Sequence, residues 1–514
     1  MSPKHLLSAI VAFLSLLLYC PLQGTAGNGP VDKISQGPQK PASSATLSLP
    51  TASVHNTPAA DARVGIILLM DSSGSMKRTD PKDYRKAAAK LFISLLGKSD
   101  GVGIMSFGDS ATLLLPLTQN ADTSRKGLFN AVDKITSREL TTNITEAVQR
   151  GFDALRSSQA QKRILIMMSD GKLDLGTKEK DAAAFVSLKQ LLPELAASNI
   201  RLYTMAFTEE SDSTLLENMA KETGGFFRFA RMDKDVHVMF ASIFEKIKSP
   251  DTLPFEGESF TIDSDISEAT VLVTKKPGTK LSLLDPLKQK NTSAKHGGSI
   301  TWFESSVFDM ITILKPAAGT WSVKLSTNEG NKVYILTNLS LKTSFEISFA
   351  NRGETIALDA WLERQGGIVT ESAVLDNTAF TAEITGPDSK LIKIDLACTP
   401  SPSTVQQARG KYSASLPIEV IGEYSIKLIA RGKTFTREKT LSFKAVEPPA
   451  PPQEKPQEPL PAAPPPPLPT EEELSWTSVL IRFGLVNLVI VGIVFALLGG
   501  YVFWKKTALK RKMK

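Results

Sequence analysis

Val64 to Met70 (VGIILLM) carry no polar side chain, and the run breaks abruptly into Asp71-Ser72-Ser73-Gly74-Ser75. An uninterrupted apolar stretch of this length reads as a strand covered on both faces, as in a parallel sheet with helices on each side. The polar cluster then lies at the strand's carboxyl end, where open α/β sheets gather their ligand sites. Asp71, Ser73 and Ser75 alternate, so a curling loop aims one carboxylate and two hydroxyls at one point. Hard oxygen donors, one of them charged, suit Mg2+ or Mn2+ better than zinc. Taken alone, the same string also serves as an ordinary turn or helix cap.

Two later stretches narrow the choice. Leu140-Thr141-Thr142-Asn143-Ile144 opens a segment of helical spacing, and Arg163 to Met168 is a second buried-strand pattern ending in Ser169-Asp170-Gly171. In order and spacing the three pieces resemble the metal-ion-dependent adhesion site of von Willebrand factor A (integrin I-like) domains, over Val64 to Lys248. The resemblance implies a doubly wound α/β sheet and a metal shell of Asp71, Ser73, Ser75, Thr142 and Asp170. Thr141 is the alternative threonine; Thr142 matches because it directly precedes Asn143-Ile144. The resemblance further implies bound Mg2+ (or Mn2+ or Ca2+) and a protein ligand whose exposed Asp or Glu fills the open coordination position. In that family the terminal helix, here Lys234 to Lys248, often moves on ligand binding. A static core helix packed through Val236, Met239, Phe240, Ile243 and Ile247 is the simpler expectation.

Alternating strand and helix patterns, each about a domain element long, extend this first unit over residues 62–249. Asp80-Pro81 with Asp83 reads as a helix start, and Ile144, Ala147, Val148, Gly151, Phe152 and Leu155 form one helix face. From Pro250 short strands and Pro/Gly turns predict a β-sandwich over 250–342. Within it, Pro316 to Trp321 resembles a P-x-x-G-x-W corner of extracellular sandwich modules, and Trp302 and Trp321 read as core aromatics. Residues 343–446 read as an immunoglobulin-like β domain, with Gly410-Lys-Tyr412 and Gly422-Glu-Tyr424 resembling its final hairpin. Asp263, Asp265 and Glu268 read as a solvated loop, with a calcium site as the alternative. Cys398 reads as a buried or half-buried strand thiol.

The ends of the chain predict export and anchoring. Lys4 and His5 precede an apolar stretch, Leu6 to Leu18, and Gly24-Thr25-Ala26 offers a cleavage site, so residues 1–26 read as a signal peptide. Residues 27–61 are rich in Pro, Ser, Thr, Ala and Gly and read as a flexible lead, and residues 447–475 as a Pro-rich linker. Residues 478–504 are apolar enough for a transmembrane helix, followed by a basic tail at 505–514. The positive-inside rule places that tail in the cytoplasm and the rest outside, a single-pass type I arrangement. With the processed segment removed, Cys398 is the one cysteine left, which favours a bacterial envelope protein over a disulfide-rich eukaryotic one.

The net charge is +7, yet Lys4, Arg482 and six tail residues supply eight positive charges, which leaves residues 27–477 near −1. The basic isoelectric point is therefore a tail effect and no sign of nucleic-acid binding. His55, His237 and His296 lie in different segments, and no H-E-x-x-H pair or serine triad is present. Without a base beside the ion, the chain reads as no enzyme, and a metal-dependent hydrolase ranks last. The leading expectation is a membrane-tethered, metal-dependent adhesion or scaffold protein; the alternative is an envelope assembly or maintenance factor.

Overall fold

The computed structural model describes residues 64–230, 232–398, 410–448 and 476–511. The signal-peptide, lead and Pro-rich linker expectations fall outside these residues, except for the first two positions assigned to the linker. The first unit runs β1 (Val64–Asp71), α1 (Tyr84–Leu95), β2 (Gly101–Phe107), β3 (Ala111–Gln119), α2 (Asp122–Asp133), α3 (Ile144–Arg156), β4 (Lys162–Ser169), α4 (Lys178–Ala197), β5 (Ile200–Phe207), α5 (Ser213–Glu222), β6 (Phe227–Ala230) and α6 (Val236–Lys248). Its six strands lie in the order β3-β2-β1-β4-β5-β6. All neighbours are parallel except β2 and β3, so Pro116 sits in an antiparallel edge strand, where a missing amide is tolerated.

Every residue of β1 is buried, and the alternation of its side chains explains why. Ile66, Leu68 and Met70 enter the core formed with α1, α2 and α6, whereas Ile67 and Leu69 enter the core under α3, α4 and α5. A central strand covered on both faces cannot afford a polar side chain until it leaves the sheet, which is where Asp71 stands. Helix α3 buries the six residues expected of it, and Asn143 caps it by accepting from the Glu146 amide at 3.1 Å.

Between this unit and the C-terminal helix, the described residues form antiparallel β structure, apart from one short helix and one parallel pair. A sheet of ten strands runs from Ile300–Glu304 at one edge to Leu391–Asp395 at the other. It is faced by a four-stranded sheet around Trp321 and a five-stranded sheet around Leu358 and Leu362. The strands expected for the sandwich and those expected for the immunoglobulin-like domain thus share one sheet. They meet where Thr252 of Asp251–Leu253 pairs with Glu438 of the strand Thr436–Val446. Arg437 reinforces the seam: its guanidinium grips both oxygens of Asp263 at 2.6 and 2.9 Å. Asp263 is therefore committed to a bidentate ion pair and the loop is not simply solvated.

Two smaller expectations are also corrected. Cys398 is exposed, at the end of a two-residue strand paired with Tyr412. Trp302 is only half-buried and donates its indole N–H to Asp309 at 3.0 Å, while Trp321 is a core residue bonded to the Ala317 carbonyl at 2.9 Å.

Helix α6 carries its contacts beyond the first unit. The Glu245 carboxylate accepts from the Tyr334 hydroxyl at 3.1 Å and pairs with Lys332 at 3.0 Å. Lys246 donates to the carbonyls of Glu346 and Ile347, and burial followed by the Arg228 charge pushes its ammonium down to about 7. The helix Trp476–Arg511 contains an apolar span, Val479–Lys505, of mean hydropathy 2.5, long enough to cross a bilayer. Asn487 inside it donates to its own backbone, at the Phe483 carbonyl, 2.8 Å away.

Candidate metal centre

Three loops meet beyond the carboxyl ends of β1 and β4. The chain turns directly after Asp71, with the Ser73 amide donating to Asp71 Oδ1 at 2.7 Å. The hydroxyls of Ser73 and Ser75 stand 2.9 Å apart, and Ser75 donates to Asp170 Oδ1 at 2.9 Å. Ser169, the last residue of β4, donates to the second oxygen of Asp71 at 2.6 Å. These bonds join the first and third loops into one network.

The second loop is stitched to its neighbours through backbone bonds. The Gly74 amide donates to the Glu139 carbonyl at 2.7 Å and the Thr142 amide to the Asp174 carbonyl at 2.8 Å, while the Asn143 amide reaches Gly108 at 2.9 Å. Asp109 accepts from the amides of Leu140 and Thr141 and from the Thr141 hydroxyl, at 2.7 to 3.0 Å. The Thr141 hydroxyl bond comes first among the causes that hold this carboxyl below the usual range. Thr141 is thereby occupied, whereas Thr142 lines a cavity of about 440 Å³ together with Ser73, Ser75 and Asp170. All five sequence-derived residues come together here; Asp71, Ser73, Thr142 and Asp170 are buried and Ser75 is half-buried.

Two glycines permit the close approach. A Cβ on Gly171 would stand 3.4 Å from the Thr142 hydroxyl, and one on Gly108 only 2.2 Å from Glu139 Cβ. Gly108→Ala is therefore expected to push the second loop outward and cost about 1–3 kcal/mol, as overpacking does. Urea unfolding of the variant beside the parent checks this, and equal midpoints count against it.

Burial, then the charge of Asp170, raises the Asp71 carboxyl to about 6, against the bonds from Ser169 and Ser73. Burial likewise raises Asp170, opposed by bonds from Thr79 and Ser75. Two buried carboxylates that disfavour each other's charge, with hydroxyls between them, form a donor set that fits a hard divalent cation. Among the described residues no three His, Cys, Asp or Glu side chains gather as an alternative cage.

Residues that the sequence did not single out complete the arrangement. Thr79, on the single helical turn Met76–Thr79, donates to Asp170 Oδ2 and to the Ser75 carbonyl. Its spacing of four from Ser75 was the available signal. Arg85, fully buried, pairs with Asp80 at 2.7 Å and donates to the Thr136 carbonyl and the Ser137 hydroxyl at 3.0 and 2.8 Å, just ahead of the second loop.

Residues 65–244 match the von Willebrand factor type A domain, and the chain carries such a domain there. The chain is also similar to the inter-alpha-trypsin inhibitor heavy chain H3: 23% identical over 193 residues in Pongo abelii and 22% over 192 in Homo sapiens, covering 36% of this chain. The match spans 21% of those relatives, about a fifth of their length. Similar solved structures include a von Willebrand factor type A protein from Catenulispora acidiphila, 16% identical, covering 60% of this chain and 64% of that one at a TM-score of 0.32. The vWF domain of the type V pili tip protein Mfa5 from Porphyromonas gingivalis is 12% identical, covering 37% and 96% at a TM-score of 0.30.

Proposed function

We propose that the A domain captures a carboxylate of a partner protein through a divalent cation, Mg2+ or else Mn2+ or Ca2+, held by Asp71, Ser73, Ser75, Thr142 and Asp170. The observation that carries the reading is the convergence of the Asp170 carboxylate and three hydroxyls from three loops on one cavity, with the Asp71 carboxylate buried behind them and bonded to the Ser73 amide and the Ser169 hydroxyl. A bound cation would supply a Lewis-acidic point, roughly neutralised by the two carboxylates yet still electrophilic because its other donors are neutral. The chain's own part is orientation. Ser73 and Ser169 fix both oxygens of Asp71, Ser75 and Thr79 fix those of Asp170, and the backbone bonds of the second loop hold Thr142 in place.

The A domain and its relatives favour protein interaction over catalysis. The apolar helix would tether the binding unit to a membrane, with the basic tail on the cytoplasmic side by the positive-inside rule. For the full chain in lipid nanodiscs, Mn2+ titration followed by electron paramagnetic resonance is expected to show one tight site. Asp71→Ala should weaken it by at least about 100-fold, as loss of a charged ligand does, with circular dichroism unchanged. Equal Mn2+ affinity in parent, Asp71→Ala and Asp170→Ala would defeat the proposal.

A further inference from the structure

Leu140 is the most exposed large apolar side chain among the described residues, at 90%. A leucine on a free loop tip would need no explanation. This one is not on a free tip: its amide is bonded to Asp109, and its predecessor Glu139 is bonded by both amide and carbonyl to Ser72 and Gly74. Its side chain lines the same cavity as Ser73, Ser75, Thr142 and Asp170. The fold therefore holds an apolar group in water at a fixed place beside the five candidate ligands, and ordering costs that a partner would otherwise meet are already met.

The cavity walls narrow the partner further. Glu139, Asp174 and Glu210 line it with Lys172 as the only basic lining residue, and Arg78 is paired to Glu210 from outside. The rim thus carries three acids against two bases. A carboxylate arriving alone would meet like charge, and a basic neighbour on the same segment would offset it.

We infer that Leu140 is the apolar anchor of the docking face, and that the partner is a protein segment presenting its carboxylate between an apolar side chain and a Lys or Arg. The inference rests on the metal reading above and adds which acidic segments are chosen. The test uses the full chain in nanodiscs with three cyclic peptides, carrying Leu-Asp-Lys, Ser-Asp-Lys or Leu-Asp-Glu at their tips, in Mn2+ and in EDTA. Leu-Asp-Lys is expected to bind tightest in Mn2+, roughly 10-fold over Ser-Asp-Lys, as burial of a leucine against a leucine would give. Leu140→Ser should erase that difference, and Leu140→Met should keep it, with Mn2+ affinity unchanged in both.

Mn2+ binding with no peptide preference, or a preference that survives Leu140→Ser, would overturn the inference and leave the metal site standing. Absence of Mn2+ binding in the parent would overturn both.

Discussion

Asp80→Ala is expected to be the most damaging single change in the A domain, at about 3–5 kcal/mol, because it strands a buried guanidinium. The side chains of Asp80 and Arg85 are both fully buried and 2.7 Å apart. Asp80 Oδ1 also accepts the Tyr84 amide at 2.7 Å, so the same carboxylate caps the start of α1. Burial comes first among the influences on Asp80 and raises its carboxyl, against the pull of Arg85. Removing it leaves Arg85 with Asp83, a partly exposed partner 3.0 Å away, and with the Thr136 and Ser137 oxygens. Those two oxygens lead into the loop that carries Thr142, so weaker Mn2+ binding should accompany the lost stability. The double variant Asp80→Leu with Arg85→Met should recover most of the stability, since an apolar pair needs no partner. Urea unfolding of the parent, Asp80→Leu, Arg85→Met and the double variant gives the coupling directly, and a double variant no more stable than Asp80→Leu would refute the stranded-charge account.

The second large effect is on pH. His237 on α6 is buried, stacked on Phe308 with ring centroids 5.0 Å apart. Its Nδ1–H donates to the Lys234 carbonyl at 2.8 Å, which leaves Nε2 to accept from the Thr274 hydroxyl at 2.9 Å. Burial lowers the imidazole to about 4 from an ordinary 6.5. The neutral ring is the one the fold accepts, so its contribution is complete above pH 6.5. It is lost as pH falls from 6.5 towards 4, and amounts to about 3 kcal/mol at the acid end. Thr274 and Phe308 belong to the β structure, so acid should loosen the contact between α6 and those strands. Stability of the parent minus that of His237→Gln, measured from pH 7 to 4, should fall across this window. A flat difference would show that the ring's burial costs nothing on protonation.

The centre of the A-domain sheet was legible because β1 and nearly all of β4 are buried on both faces. VGIILLM and RILIMM carry an apolar pattern that no exposed strand would show, and each ends at the residue that turns towards the site. Helix α3 was legible for the converse reason, a clean one-sided face. The first half of α4, from Lys178, was not, because Lys178 to Lys180 are exposed and Asp181 turns its carboxylate to the Leu175 amide, which leaves no apolar period. Thr79 and Asp109 escaped notice because their role lies in whom they bond, and hydroxyls and carboxylates in loops are common. The shared sheet was invisible for a stronger reason. Asp263 read as part of a solvated loop or a calcium site, Arg437 in a separate β stretch carried no signal, and only the fold brings them within 2.6 Å.

The strand Thr436–Val446 has a mechanical consequence. It runs antiparallel to Gly422–Arg431 over ten register pairs, while its last three residues run parallel to Phe349–Asn351. A pull arriving from residue 447 onward therefore loads these bonds side by side, in shear, instead of peeling them one at a time. Lys444, bonded to Glu217 on α5 at 2.6 Å, passes part of that load straight to the A domain, bypassing the connection at Ser249. A tether on this strand tugs on the binding unit as a whole.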